Sequence, residues 1–290
     1  MRLATASASA LPESARCSPA ALPGSTLPVV GVRPCRTIKI NVGAFFVGRA
    51  MGLRSKLSCL AVTKPSQTTN ARALRVLQQE IHDCEKCSRL VKWCRQVAVE
   101  KRASYKDEEY WGKPVSGFGD PAARIVVLGL APGAHGANRT GRVFTGDRSG
   151  EWLFRAMHKA GLANQQSSEN RNDGLQLTDA WVTVAVRCAP PQNKPTPAEE
   201  KKCAPYLQRE LQLLTNAKVI VCLGSIALRA ACDQLGVKPR PKFGHGVVVN
   251  AGEYTLVCSY HPSQQNTFTG KLTEKMLNDV FTKAVRLAKK

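Results

Sequence analysis

Three groups of residues have the types and spacing to do chemistry. The first is a set of cysteines. Cys84 and Cys87 stand as C-x2-C, Cys188 opens the run CAPP, and Cys203 follows on the next helical stretch. Four thiolates of this kind suit either a structural zinc or an iron–sulfur cluster, and spacing alone does not separate the two. Cys94 is a near neighbour that complicates the choice of four. The chain has 11 cysteines, an odd number, with several inside apolar runs. That argues against a disulfide framework. Cys222, Cys232 and Cys258 read as buried small hydrophobes.

The second group is the glycine-rich stretch from Gly129 to Asp147, and the third is His261-Pro262-Ser263-Gln264-Gln265-Asn266. Glycines let backbone approach a ligand closely. The stretch lacks both the lysine of a phosphate-binding loop and the spacing of a dinucleotide fingerprint. Between them the two segments offer His135 and His261, a carboxylate at Asp147 and an aromatic face at Phe144. Amides stand at Asn138, Asn266 and, on a third segment, Asn193. That set suits a planar heterocycle, which needs a face to stack on, amides for its edge and an imidazole to stabilise charge on an oxygen.

These segments need elements to position them. Leu74, Leu77 and Ile81 mark an amphipathic helix running into Cys84. Arg124–Ala131 (RIVVLGLA), Trp181–Val186 and Lys218–Gly224 are apolar or β-branched runs of buried-strand type. Helices are expected over Ser149–Gly161, from the Thr196–Glu199 capping box to about Thr215, and from Ser225. Gly246–Asn250 and Tyr254–Ser259 form a strand pair. Lys271–Ala288 closes the chain as a helix with Leu272, Met276, Val280, Ala284 and Leu287 on one stripe. Strands alternating with helices predict a parallel sheet covered on both faces. Its ligand site would lie beyond the C-terminal ends of the strands.

The 290 residues carry 42 Lys+Arg against 21 Asp+Glu, a net charge of +21, with 43% hydrophobic residues. The apolar share excludes a wholly disordered chain. No run is long enough for a membrane span, and no membrane partner is expected. The charge points to a polyanion, most simply nucleic acid or an anionic membrane surface. Residues 1–70 differ from the rest: nine Lys/Arg, one acid, and much Ala, Ser and Pro. They read as an organellar transit segment, mitochondrial or plastid. An untargeted tail, or initiation at Met51, fits the same composition and would leave the protein nuclear or cytoplasmic. The folded domain is expected over 71–290, as a monomer.

The strings GLAPGAHGANRTGRVFTGD, CAPPQNKPTP and HPSQQNTFTGKLT resemble the three motifs of the family 5 uracil-DNA glycosylases. The four cysteines resemble the iron–sulfur ligands shared by families 4 and 5. The likeness runs from about Ala71 to the C-terminus. It implies a three-layer α/β/α sandwich with a central parallel sheet, a [4Fe–4S] cluster on Cys84, Cys87, Cys188 and Cys203, with zinc as the alternative, and excision of uracil, hypoxanthine and xanthine from DNA at the start of base excision repair. By position, Phe144 would stack on the flipped base, with Ala131, Gly133 and His135 lining its pocket. Asn193 would meet the base edge, and His261 would donate to the oxygen that gains charge. Asn266 would hold the loop or the sugar-phosphate, and Asp147 would stabilise the sugar cation or orient water. Arg139, Arg142, Arg148, Ser263 and Lys271 would meet DNA, and residues in 267–272 would wedge into the duplex. Val184 stands where family 4 relatives carry an asparagine, which fits looser base selection. Two rivals remain at this stage: a hydrolase of free nucleosides, and a non-catalytic cluster-bearing DNA-binding protein.

Overall fold

The computed structural model describes residues 67–290. The reading of 1–70 as a leader therefore falls almost wholly outside the described residues. Its last four positions do not, because helix α1 (Gln67–His82) already begins there. Asn70 is buried and its Nδ2 donates to Thr215 Oγ1 at 3.4 Å. The fold thus starts four residues before the expected boundary.

After α1 come α2 (Ser88–Glu100), β1 (Phe118–Gly119), β2 (Ile125–Gly129), the single turn α3 (Ala137–Thr140) and α4 (Arg148–Lys159). Then follow β3 (Ala180–Val184), α5 (Pro197–Leu213), β4 (Val219–Leu223), α6 (Ser225–Leu235), β5 (Val248–Ala251), β6 (Tyr254–Ser259), α7 (Gln264–Phe268) and α8 (Glu274–Ala288). The six strands form one sheet in the order β1-β3-β2-β4-β6-β5. The central four are parallel, with Val127 level with Val182 and Val221. Both edges are antiparallel: β5 with β6 is the expected strand pair, and β1 is an edge strand that was not expected. β1 is two residues long and β5 is half-exposed, so neither gave the continuous apolar run of a buried strand.

Residues of the central strands alternate between two cores. Val127, Val182, Val221 and Val257 face α4 and α8. Val126, Ile220, Cys222 and Leu256 face α5 and α6, with Leu74 of α1. This is a three-layer α/β/α arrangement, with β2, β3 and β4 buried on both faces throughout and β6 from Leu256 onward. The capping box of α5 forms: Thr196 Oγ1 accepts from Glu199 N at 3.3 Å, and Glu199 Oε2 accepts from Thr196 N at 2.8 Å. The last helix is rotated from expectation. Its buried stripe is Leu277, Val280, Phe281, Ala284 and Ala288, while Met276 and Leu287 are half-exposed and Leu272 precedes the helix.

Behind the sheet's exit loops lies one ion pair almost wholly out of water. Arg187 Nη2 donates to Glu210 Oε2 at 2.6 Å, and the two side chains are 1% and 2% exposed. Thr183 Oγ1 donates to the same carboxylate at 2.6 Å, and Gly117 N donates to its other oxygen at 3.3 Å. Arg187 also begins the segment that carries Cys188.

Candidate active site

All four central strands end at one rim. β2 exits at Gly129 into the glycine-rich stretch, β3 runs on toward Cys188 and Asn193, β4 exits at Gly224, and β6 exits at Tyr260-His261. Phe144 is buried, in the left-handed region at φ 53°, with its ring over the end of β2. A Cβ placed on Gly129 would lie 2.6 Å from Phe144 Cζ, so only glycine leaves the ring its seat. Gly150, on α4, has no room for a Cβ beneath the Phe144 carbonyl. Against this ring stands His261, with centroids 5.8 Å apart and planes 33° from parallel. The two motif loops therefore close on one another at Phe144 and His261. They meet a second time where Arg148 Nε donates to Thr267 Oγ1 at 3.4 Å and the guanidinium lies 4.3 Å from the centre of the Phe268 ring.

His261 leaves β6 beside Gly224, where an added Cβ would sit 3.6 Å from its own Cβ. Asn266 Nδ2 donates to the His261 carbonyl at 2.8 Å, so Asn266 holds the loop. Enclosure lowers the His261 pKa to about 4, and the imidazole is neutral at pH 7. Asp147 caps α4: its Oδ1 accepts from Gly150 N at 2.9 Å. Its Oδ2 faces the turn at Gly133 and Gly136, leaving no space for a Cβ on Gly136. Burial raises the Asp147 pKa, while the Gly150 and Ser149 amides and the charge of Arg139 oppose that rise.

The remaining expected residues divide. Ala131 and Gly133 lie at the rim, half-exposed. His135 is held elsewhere: its Nδ1 is 3.1 Å from Tyr110 Oη, and the two rings meet edge to face. Asn138 is fully buried and donates to the Cys94 carbonyl at 3.2 Å, so its amide does not reach a base. Asn193 is exposed in left-handed backbone beyond β3, and no hydrogen bond among the described residues ties it to the Phe144–His261 pair. Ser263 caps α7, with Oγ accepting from Asn266 N at 3.4 Å. Lys271 is exposed, its ammonium 5.0 Å over the Tyr260 ring.

Arg139 and Arg142 correct the expectation of phosphate contacts. Both are 8% exposed. Arg139 donates to the His135 and Gly146 carbonyls and pairs with Glu108. Arg142 pairs with Asp173 at 2.7 Å and donates to Thr145 and Ser168 hydroxyls. Their charges brace the glycine-rich stretch from within. Of the cations expected to meet DNA, Lys271 is exposed and Arg148 is half-exposed.

Five thiols gather near the α1–α2 corner. Cys87, Cys94, Cys188 and Cys203 share one buried apolar pocket, and Cys84 sits at its edge against Tyr206. Cys84 and Cys87 both act electrostatically on Cys203, so the two pairs meet across the pocket. Arg89, just after Cys87, binds Glu199 at 2.8 Å and ties α2 to α5 near Cys203. Burial pushes the Cys87 and Cys203 thiols up, and Cys188 is raised by its hydrogen bond with Cys94 and by burial. Among the described residues, no group of three or more His, Cys, Asp or Glu side chains is arranged to hold a single metal ion. The donors are all sulfur, round one apolar pocket, a set that suits either an iron–sulfur cluster or a structural zinc.

The model for the uracil DNA glycosylase superfamily matches residues 116–285, and the chain belongs to that superfamily. It is 51% identical over 210 residues to the type-5 uracil-DNA glycosylase of Mycobacterium tuberculosis, spanning 71% of this chain and 78% of that protein. Identity to the type-5 uracil-DNA glycosylase of Thermus thermophilus is 49% over 212 residues, 72% of this chain and 96% of the other. A type-4 uracil-DNA glycosylase from Thermotoga maritima is 31% identical over 150 residues, 51% of this chain and 69% of that protein. Within the superfamily, the chain is a type-5 member.

Proposed function

We propose that this protein hydrolyses the N-glycosidic bond of uracil in DNA, with the extruded base held against Phe144 and its oxygen facing His261. The observation that carries this reading is the direct packing of those two rings at the sheet's C-terminal rim. A base inside a duplex is out of reach, so it must be unstacked at a cost of a few kcal/mol, least for a mispair. Bond breaking then builds negative charge on the base and positive charge on the sugar. A neutral His261 donates an N–H that strengthens as the base oxygen gains charge, and it brings no positive charge to the uncharged starting base. Asn266 fixes the direction of that donor through the backbone. The Oδ2 of Asp147, as carboxylate, stands as the nearest candidate to oppose the sugar's charge, while Oδ1 remains committed to α4. Lys271 and Arg148 take the phosphate-contact role that Arg139 and Arg142 cannot.

The same site is proposed to accept hypoxanthine and xanthine, and so to serve base excision repair more widely. Its floor is Gly129, Val184 and Phe144, with no amide from the strand to read a pyrimidine edge. The test uses purified protein and end-labelled duplexes containing G·U, G·hypoxanthine, G·xanthine or normal pairs, with alkali to cleave abasic sites. Strand breaks are expected at all three deaminated bases and none at normal pairs. No product from G·U removes the enzyme reading; product from G·U alone removes only the wider one.

Cys84, Cys87, Cys188 and Cys203 are proposed to ligate a [4Fe–4S] cluster, which when bound would cross-link the α1–α2 corner to α5 and the β3 exit. Anaerobically purified protein is expected to be brown, with iron and labile sulfide near four each per chain, as the proposed cluster type contains. A colourless protein with stoichiometric zinc would reverse that assignment.

A further inference from the structure

The backbone just before His261 has a hydrogen-bonding problem. β6 ends at Ser259, and its last ties to neighbouring backbone are Cys258 N to the Val247 carbonyl at 2.8 Å and the Ser259 carbonyl accepting from Gly224 N at 2.8 Å. The next amide, that of half-buried Tyr260, finds no strand partner. A side chain answers it: Tyr260 N donates to His245 Nδ1 at 3.2 Å. The His245 ring also lies along the Tyr260 ring, with centroids 5.2 Å apart at 33°, while Phe243 packs on Tyr260 at 6.0 Å. The imidazole is within hydrogen-bonding reach of the Met276 backbone in the first turn of α8. Lys283 Nζ, from the same helix, donates to the Gly246 carbonyl at 3.1 Å and holds the segment that carries His245.

We infer that His245 is a positioning residue for His261: by accepting the Tyr260 amide and bridging to α8, it fixes the direction in which the chain leaves β6. Asn266 holds the His261 carbonyl from the other side. The imidazole that faces the base is thus braced through the backbone both before and after it. The brace needs Nδ1 free of a proton, so Nε2 carries the hydrogen toward α8. His245 itself makes no contact with the Phe144–His261 pair in the structure. The inference rests on the reading of His261 as the donor to the base, and deepens it.

The test compares His245→Ala and His245→Asn with the wild type, by single-turnover excision and by affinity for an undamaged duplex of the same sequence. Asn places an oxygen near the position of Nδ1. His245→Ala is expected to slow excision about tenfold or more, as misplacement of a reacting group does, with duplex affinity changed less than about twofold. His245→Asn is expected to recover most of the rate. Wild-type rate in the alanine variant, equal losses in both variants, or a loss of affinity without a loss of rate would each overturn the inference while leaving excision by the wild type intact. A wild type that excises nothing instead sinks the functional reading on which it stands. If the alanine variant does not fold, hydrogen exchange at the Tyr260 amide of the intact protein decides. Strong protection is expected, and exchange at the rate of an exposed loop amide would overturn the inference.

Discussion

His261→Ala is expected to lower single-turnover excision of uracil by about 10²–10³-fold, the usual cost of removing one donor aimed at developing charge. Substrate affinity should change far less, because the lost interaction grows only as the bond breaks. Unchanged single-turnover rates would refute the role. The fold should survive, since the His261 backbone is held by Asn266 and the Tyr260 segment independently of the ring. The pH behaviour provides a second check. With a pKa of about 4 in the folded chain against an ordinary 6.5, His261 is neutral across the neutral range. The His261-dependent part of the rate should therefore stay level from pH 8 down to about 5. The same depression acts on stability. Between about pH 6.5 and 4 the unfolded imidazole takes up a proton that the folded one refuses, so stability falls as pH falls through that window. The alanine variant lacks this term and should lose less melting temperature than the wild type between pH 7 and 4.5. An equal loss in both would show that the ring is solvated rather than enclosed.

Glu210→Leu is expected to be the most damaging single change to stability. It strands Arg187, 1% exposed, without its carboxylate. Breaking a buried pair from one side costs about 3–5 kcal/mol, against a total stability of roughly 5–15 kcal/mol for an ordinary domain. For a domain of this size that lowers the melting temperature by roughly 6–20 °C. Arg187→Met combined with Glu210→Leu should recover part of the loss, because removing both charges removes their desolvation cost, while the Thr183 hydroxyl and Gly117 amide that donate to Glu210 lose their acceptor. A double variant as unstable as the single one would mean that shape, not charge, holds this part of the core. Because Arg187 precedes Cys188, a proposed ligand of the cluster, iron content per chain gives a second readout of that proposal: it should fall in the single variant and rise again in the double one.

How much of this was legible beforehand depended on whether the cause was local. The run RIVVLGLA announces a strand buried on both faces, and Thr196 with Glu199 announces a helix start within four residues. Both formed as expected. The pairing of Phe144 with His261 was legible because strand order at a parallel rim brings exit loops together. One edge strand, β5, was legible as half of the expected strand pair, but β1 was not: Phe118–Gly119 is too short to carry any period. Arg139 and Arg142 were misplaced for a related reason. An arginine in a glycine-rich loop looks the same whether it turns out to a phosphate or inward. Here partners 31 residues away in sequence, Glu108 and Asp173, decided the matter. Gly224, Tyr260 and His245 carry no motif signal, since they act on His261 through backbone and packing. The one available hint was an aromatic-basic run, KPRPKFGH, close before the strand that delivers His261.

The left-handed backbone at Phe144 has a consequence for anyone seeking to alter which bases this protein accepts. A side chain branched at Cβ is strained at φ 53°, whereas asparagine and histidine tolerate that region better than most. Libraries randomised at this codon would therefore be filtered by chain conformation before any base is tested. Valine, isoleucine and threonine would be disfavoured, and asparagine, histidine and glycine favoured. Retargeting is better begun at Val184, whose extended backbone imposes no such filter.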